Sequence, residues 1–134
     1  GQLGRNWGMT VGEVMHPLEE VALCGEDAGL RQLVIAMTER PLGAACVMRE
    51  ETFLGIVTDG DLRRALSGSE DVWALRAEAI MTRNPVTIHP SAPVGAALRL
   101  MEERDSQIAV LPVTSEDGGM LQGLLRLHDV YVPN

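Results

Sequence analysis

The chain has 134 residues, 46% of them hydrophobic, with a formal net charge of −8 at pH 7 and a pI of about 4.8. This acidic balance, with only two Trp, one Tyr and one Phe, argues against nucleic acid as a partner, because phosphate neutralisation needs a basic surface and single strands stack on aromatic rings. No apolar run approaches the ~20 residues that span a bilayer and no signal peptide is recognisable, so we expect a cytoplasmic protein that does not enter the membrane.

Residues 1–10 are predicted to be a linker or a cloning remnant. They begin with glycine rather than methionine and show no hydrophobic periodicity. We therefore expect a larger protein segment to precede them.

The rest of the chain contains an internal repeat. The stretch from Val14-Met15-His16-Pro17 to Asp61-Leu62 returns as the stretch from Ile80-Met81-Thr82-Arg83 to Asp129-Val130. Met15 and Met81 are 66 positions apart and Asp61 and Asp129 are 68 apart, and the extra pair falls in a predicted turn at residues 115–119. Insertions confined to turns indicate a repeated structural unit, which we place at residues 11–70 and 71–134.

Each repeat contains an amphipathic helix. Apolar residues recur at helical spacing in both copies, namely Leu30, Leu33, Val34 and Met37 in the first and Val94, Ala97, Leu98 and Met101 in the second. Ser91 is the predicted N-cap of the second helix, with Pro93 tolerated in its first turn.

Two short apolar runs follow each helix and predict strand pairs. They cover residues 44–48 and 53–57 in the first copy and residues 108–113 and 120–125 in the second. A last helix is predicted to start near Asp59 or Gly60 and to end at Gly68. The fold class is therefore α+β (α/β), with two β-α-β-β-α repeats. Because about 60 residues bury too little surface alone, we expect the repeats to share one core.

The motifs resemble those of tandem cystathionine-β-synthase (CBS) domains, also called a Bateman module. The resemblance covers residues 11 to about 132 and rests on the Val-Met or Ile-Met opening and the Gly-x-x-Thr-x-x-Asp closing of each unit. The stretches Gly55-Ile-Val-Thr-Asp-Gly-Asp-Leu-Arg-Arg-Ala-Leu66, Ile80-Met-Thr-Arg-Asn-Pro85 and Leu125-Arg-Leu-His-Asp-Val130 most resemble the C-terminal CBS pair of bacterial arabinose-5-phosphate isomerases. Those enzymes convert ribulose 5-phosphate to arabinose 5-phosphate on the way to the lipopolysaccharide sugar Kdo. Their N-terminal sugar-isomerase domain is missing here, so no catalytic residue is assigned.

The Gly-x-x-Thr-x-x-Asp stretch is the main candidate binding site. Gly55 would remove a side chain from the floor of a cleft between the repeats. Asp61 could accept both hydroxyls of a ribose, while the Thr58 hydroxyl and free N–H groups at the helix start could hold a phosphate. Helix capping alone, which stabilises by ~1 kcal/mol, explains the same residues without a ligand.

Further site residues follow from the resemblance. It implies contacts from Val86, Thr87 and Ile88 of the other copy and from the small residues Ala44 and Ala45. In the second copy Arg126 replaces the threonine and Asp129 keeps the acidic position, so Arg126 either holds a phosphate bidentately or is solvated. Because Asp59 adds negative charge that Arg63, Arg64 or Arg83 must offset, a sugar nucleotide such as CMP-Kdo fits better than a highly charged triphosphate. An adenine nucleotide is the other candidate for a regulatory ligand.

Other chemistry is poorly supported. Asp59 and Asp61 lack further ligands at metal spacing, the histidines are scattered with only His128 expected near the cleft, and no phosphate loop or nucleophile elbow is present. Cys24 and Cys46 are predicted to be buried thiols in a reducing compartment. We therefore expect no required cofactor, no metal and no catalysis by this segment.

Three functions compete. The first is a regulatory module that binds a nucleotide or sugar nucleotide and alters an attached isomerase. The second is a structural module without ligand binding that forms a homodimer through its CBS helices, including the helix that contains residues 62–66. The third, an enzyme in its own right, is the weakest because no nucleophile, base and orienting group come together in the sequence.

Overall fold

The structure, a computed structural model, describes residues 8–103 and 108–131. Most of the predicted linker, residues 1–7, lies outside the described residues. The described chain forms two compact units, a central unit of residues 21–85 and a terminal unit of residues 8–20 and 86–131. Each unit therefore combines parts of both sequence repeats. The fold class is the mixed α and β class that the sequence predicts.

The central unit contains a four-stranded sheet of order β2-β3-β4-β5. Its elements are β2 (Ala22–Gly25), α2 (Leu30–Glu39), β3 (Ala44–Arg49), β4 (Thr52–Thr58), α3 (Asp59–Gly68), the short helix α4 (Ala77–Ile80) and β5 (Thr82–Arg83). Strand β2 runs parallel to β3, while β3 with β4 and β4 with β5 are antiparallel. Buried side chains from the sheet and from α2 and α4 form one core, which includes Leu33, Met37, Val47, Val57 and Ile80.

The terminal unit contains a three-stranded sheet of order β1-β7-β6. Its elements are the short helix α1 (Val11–Val14), β1 (His16–Pro17), α5 (Val94–Glu102), β6 (Val110–Thr114), β7 (Leu121–Arg126) and α6 (Leu127–Tyr131). Strand β7 is antiparallel to both β1 and β6. Its core includes Val11, Val94, Leu98, Met101, Leu111 and Leu125.

The apolar stripe of α5 is buried as predicted, but that of α2 is narrower. Leu30, Leu33 and Met37 are buried, whereas Val34 is 46% exposed. The prediction for Val34 was wrong. A period of 3.6 residues places the four apolar residues along one side of the helix, but the sheet covers only the part of that side around Leu33 and Met37.

The predicted cap of α5 was also wrong. The N-cap is Pro93, whose extended backbone (φ −70°, ψ 148°) precedes Val94, and Ser91 instead contacts Nδ1 of His89 at 2.8 Å. A proline disfavours helical backbone at the residue before it, so a helix that includes Ala92 cannot form easily. The helix therefore begins after the proline rather than around it.

None of the described helices is long and apolar enough to cross a membrane.

Candidate functional site

Thr58 and Asp61 meet at the start of helix α3 in the central unit. Thr58 is the last residue of β4 and the N-cap of α3, where its hydroxyl accepts a hydrogen bond from the backbone N–H of Asp61 at 3.2 Å. In return, the backbone N–H of Thr58 donates to Asp61 Oδ2 at 2.9 Å. This reciprocal arrangement is a capping box, which satisfies two backbone donors that the helix itself leaves without partners.

The second carboxylate oxygen of Asp61 is also engaged. Asp61 Oδ1 accepts a hydrogen bond from Nη2 of Arg64 and one from Oγ1 of Thr82 at 3.1 Å. The residue is only 6% exposed. A ligand hydroxyl that binds this carboxylate must therefore replace Arg64 or Thr82 on Oδ1 while the capping box keeps Oδ2.

Gly55 explains why Thr82 can reach Asp61. In the register of the sheet, Gly55 lies opposite Arg83 and Ile56 lies opposite Thr82. A Cβ atom on Gly55 would lie 2.6 Å from the carbonyl oxygen of Thr82 and 2.8 Å from the sulfur of Met81. The sequence predicts Gly55 at the floor of a cleft, whereas in the structure the missing side chain of Gly55 lets β5 lie close to β4.

The terminal unit repeats this arrangement with different side chains. Gly123 lies opposite Pro17 and Leu124 lies opposite His16, and a Cβ atom on Gly123 would collide with the carbonyl oxygen of His16. His16 takes the place of Thr82, and its Nε2 lies 2.6 Å from Asp129 Oδ2. Each glycine therefore lets a short strand place one polar side chain on the helical carboxylate.

Arg126 binds Asp129 with both arms of its guanidinium. Its Nε donates to Oδ2 and its Nη2 donates to Oδ1, each at 2.9 Å. The prediction left open whether Arg126 holds a phosphate or is solvated, and the structure shows instead an ion pair within its own unit. Nδ1 of His16 lies 2.8 Å from Glu20, which extends the network to four side chains.

These contacts change the ionisation of Asp129. Burial raises the pKa of its carboxyl, but the hydrogen bonds from Arg126 and His16 and the nearby positive charges outweigh that effect, so the net pKa is lowered below its ordinary value of 3.8. The hydrogen bond to Asp129 also raises the pKa of Arg126. The carboxylate is therefore held in its charged form.

The other predicted site residues are divided between the two units. Ala44 and Ala45 lie on β3 of the central unit, paired with Thr58 and Val57, and neither has exposed surface. Val86, Thr87 and Ile88 belong to the terminal unit, where Ile88 is buried and bridges Val113. Ala44 and Ala45 therefore present no surface to a ligand in this arrangement.

Two residues of the short strands in these networks were missed from the sequence, Thr82 and His16. Both follow the methionine of the repeated opening, at equivalent positions 66 residues apart. Alignment of the two repeats could therefore have identified them as a matching pair of polar residues. The sequence predicts His128 near the cleft instead, and His128 is exposed. His16, not His128, contacts the acidic residue of the second repeat.

Metal and thiol chemistry find little support in the part of the chain that the structure describes. No group of three or more potential ligands is assembled there. Burial raises the pKa of Cys24 to about 11 and that of Cys46 to about 12, and no disulfide joins them. Cys46 is buried as predicted, whereas Cys24 is half-buried.

Comparison with known proteins places these motifs in a family. The family model described as the CBS domain matches residues 11–68 and 77–131. Arabinose 5-phosphate isomerase KdsD of Escherichia coli (strain K12) is 32% identical over 131 residues, which are 97% of this chain and 39% of that protein. An uncharacterized protein of Chlamydia trachomatis is 34% identical over 131 residues, 96% of this chain and 40% of that protein. The chain thus spans well under half the length of these relatives.

Solved structures share the fold. CBSX2 in complex with AMP superimposes with a TM-score of 0.78 and 23% identity, covering 92% of this chain and 94% of that one. The CBS domain of a bacterial CNNM/CorC family Mg²⁺ transporter in complex with ATP gives a TM-score of 0.75 and 23% identity, covering 96% and 89%. The CBS domain NE2398 gives 0.73 and 26%, covering 91% and 94%.

Proposed function

The chain belongs to the CBS domain family, and from that premise we propose that it is a regulatory module that binds an adenine nucleotide or a sugar nucleotide such as CMP-Kdo. In this proposal the parent protein is an arabinose-5-phosphate isomerase. Its sugar-isomerase chemistry lies in the part of the relatives that this chain does not match. The chain itself binds the regulatory ligand and performs no catalysis.

The observation that carries the proposal is the joint position of Thr58 and Asp61 at the start of α3. This helix has ten residues, and its first-turn N–H groups have no partners within the helix. The backbone N–H groups of Asp59 and Gly60, which the capping box does not use, offer donors to a phosphate, and the Asp61 carboxylate offers acceptors to ribose hydroxyls. The Thr58 hydroxyl donates to Asp61 Oδ2 at 3.1 Å and must turn from it to serve a ligand. The AMP and ATP complexes of proteins with the same fold support an adenine nucleotide as one candidate.

The charges near Asp61 favour a ligand with few phosphates. Asp59 is exposed in the same turn and repels an anion, whereas the side chain of Arg64 is 73% exposed and sits on Asp61. A ribose hydroxyl that takes Oδ1 of Asp61 releases Arg64, which then pairs with a phosphate of the same ligand. The single positive charge of Arg64 offsets the charge of one or two phosphates more completely than the charge of a triphosphate.

Calorimetry and thermal shift with AMP, ATP, CMP, CMP-Kdo and pentose phosphates test the proposal. A ligand at 100 times its dissociation constant stabilises by ~2.7 kcal/mol, which raises the melting temperature by several degrees at this size. Asp61→Asn should abolish the shift while it keeps a capping side chain. Asp27→Asn, which removes the same charge from an exposed position, is the matched control. If no compound binds, the regulatory function is wrong.

An activity assay tests the catalytic part. The isolated chain should not interconvert ribulose 5-phosphate and arabinose 5-phosphate, while a full-length relative serves as the positive control. Turnover by the isolated chain would contradict the proposed division between regulation and catalysis.

A homodimer module without ligand binding is the second candidate. The observation that favours it is the exposure of Val34 and Ile35 on α2 and Leu66 on α3, at 46%, 44% and 51%. Exposed apolar side chains on helices are available to pair with a second chain. Sedimentation of the wild type and of Ile35→Asp tests it, with Arg31→Asp as the control on the same helix. A dimer that only Ile35→Asp disrupts, together with no ligand binding, would favour this function over the first.

A further inference from the structure

The two equivalent carboxylates differ in how firmly their own neighbours hold them. Asp61 shares one oxygen with the capping box and offers the other to a hydroxyl and to a single nitrogen of Arg64. Asp129 receives two parallel bonds from Arg126 and a third contact from His16. Both oxygens of Asp129 therefore already accept a hydrogen bond from Arg126.

The exposure of the two arginines points the same way. The Arg64 side chain is 73% exposed, whereas that of Arg126 is 29% exposed. The Asp61 carboxylate is buried, but the Arg64 guanidinium that contacts it through one nitrogen is exposed, so water can take the place of the carboxylate on the arginine and the long side chain gains freedom. A bidentate guanidinium–carboxylate pair that is partly screened from water is stronger and geometrically specific.

Residue identity explains the difference. Arg126 occupies the position that Thr58 has in the first repeat, 68 residues earlier. Thr58 uses its hydroxyl to cap α3 and leaves Asp61 Oδ1 to Arg64 and Thr82. Arg126 reaches the carboxylate itself and covers both of its oxygens. The second repeat has therefore replaced a capping hydroxyl with an internal cation.

We propose that each chain binds one ligand, at Asp61, and that the Glu20–His16–Asp129–Arg126 network closes the equivalent position in the second repeat. This inference rests on the proposed function. A ligand hydroxyl gains Asp61 Oδ1 by replacing an exposed arginine or a threonine hydroxyl. At Asp129 it would have to separate a bidentate ion pair and leave Arg126 without its partner.

Titration calorimetry with AMP and CMP-Kdo as probes tests the stoichiometry. The wild type should bind one ligand per chain, and Asp61→Asn should lose binding entirely. Arg126→Thr, which restores the threonine of the first repeat and removes the internal cation, should bind two. Arg31→Thr removes the same charge from an exposed position and should still bind one.

Each outcome decides one part of the inference. Two ligands per wild-type chain, or one remaining in Asp61→Asn, would overturn the single site and leave the proposed function standing. A folded Arg126→Thr variant that still binds one ligand would show that Arg126 does not close the second position. If Arg126→Thr fails to fold, the comparison of the wild type with Asp61→Asn still decides the number of sites. Absence of binding to the wild type would overturn both the inference and the proposed function.

Discussion

Nε2 of His16 lies 2.6 Å from Oδ2 of Asp129, although the two residues are 113 positions apart in the chain. The equivalent pair in the central unit is Thr82 and Asp61, whose oxygens lie 3.1 Å apart. In both cases the contact exists because a glycine on the neighbouring strand lets the short strand approach closely. Both units therefore keep the glycine and the close approach of the short strand, but they differ in the polar side chain that this strand places on the carboxylate.

The two glycines should tolerate no side chain. In Gly55→Ala the new Cβ atom would meet the backbone of β5 as well as the side chain of Met81, and in Gly123→Ala it would meet the backbone of β1 as well as the side chain of Met15. We expect each change to cost about 1–3 kcal/mol of unfolding free energy, the range for overpacking. Urea denaturation measures the loss.

Gly25→Ala is the control for this test, because nothing lies within 4 Å of the Cβ atom it would add. It should change the unfolding free energy much less than either of the other two. If all three variants have the wild-type midpoint, the close approach of β1 and β5 is not a constraint on stability.

The ion pair of the terminal unit should make part of the stability depend on acid. Because the pKa of Asp129 is lowered in the folded chain, its charged form stabilises the fold above pH 3.8, its ordinary pKa, and this contribution disappears as the pH falls below that value through the lowered folded pKa. Removal of the guanidinium in Arg126→Thr should therefore cost about 1.5–3 kcal/mol at pH 7, the range for hydrogen bonds to charged groups.

Denaturation of the wild type and of Arg126→Thr at pH 7 and at pH 3 measures this effect. The difference between the two proteins should shrink at pH 3. Arg31→Thr should show no such pH-dependent difference from the wild type, since Arg31 is an exposed residue of α2. An equal loss at both pH values would mean that Arg126 stabilises by packing rather than by charge.

The parts of the fold that depend on local patterns were predictable. Helix α3 starts at Asp59 and ends at Gly68 as the cap and the glycine indicate, and the four core strands lie within a few residues of the apolar runs. The capping interpretation of Thr58 and Asp61 is confirmed by the capping box. Their role in ligand binding stays a prediction.

The contacts of His16 and Thr82 were not predictable from local pattern. They depend on which strand pairs with which, and such pairing joins segments that no helical or strand period relates. For the same reason the sequence could not show that Arg126 turns to Asp129. Neighbours in space, rather than residue type, decide whether an arginine is available to a phosphate.

The thiols should react slowly in the folded chain. The reactive species is the thiolate, and burial raises the pKa of Cys24 to about 11 and that of Cys46 to about 12 from an ordinary 9.0. For Cys24 the shift reduces the thiolate fraction near neutral pH by about 100-fold. Labelling with a disulfide reagent at pH 8 should therefore be slow in buffer and complete for both cysteines in denaturant.

The same shifts predict how the thiols affect stability in base. Because the pKa values of the thiols are higher in the folded chain than in the unfolded chain, the neutral thiols contribute to the free energy of unfolding. This contribution is fully present below pH 9 and is lost as the pH rises through the folded-state pKa values. Cys24→Ser should weaken this dependence, because a hydroxyl does not ionise in that range. Rapid labelling of Cys46 in native buffer would contradict its burial.

Leu33 and Val34 are adjacent on α2, but their truncation should change the unfolding free energy by very different amounts. Leu33 has no exposed surface and packs in the core of the central unit, so Leu33→Ala should cost about 2–5 kcal/mol of unfolding free energy. Val34 is 46% exposed, so Val34→Ala should change it by no more than ~0.5 kcal/mol. Chemical denaturation at low protein concentration compares the two. A loss for Val34→Ala that grows with protein concentration would instead show that a second chain covers this residue, because stability that depends on concentration comes from association.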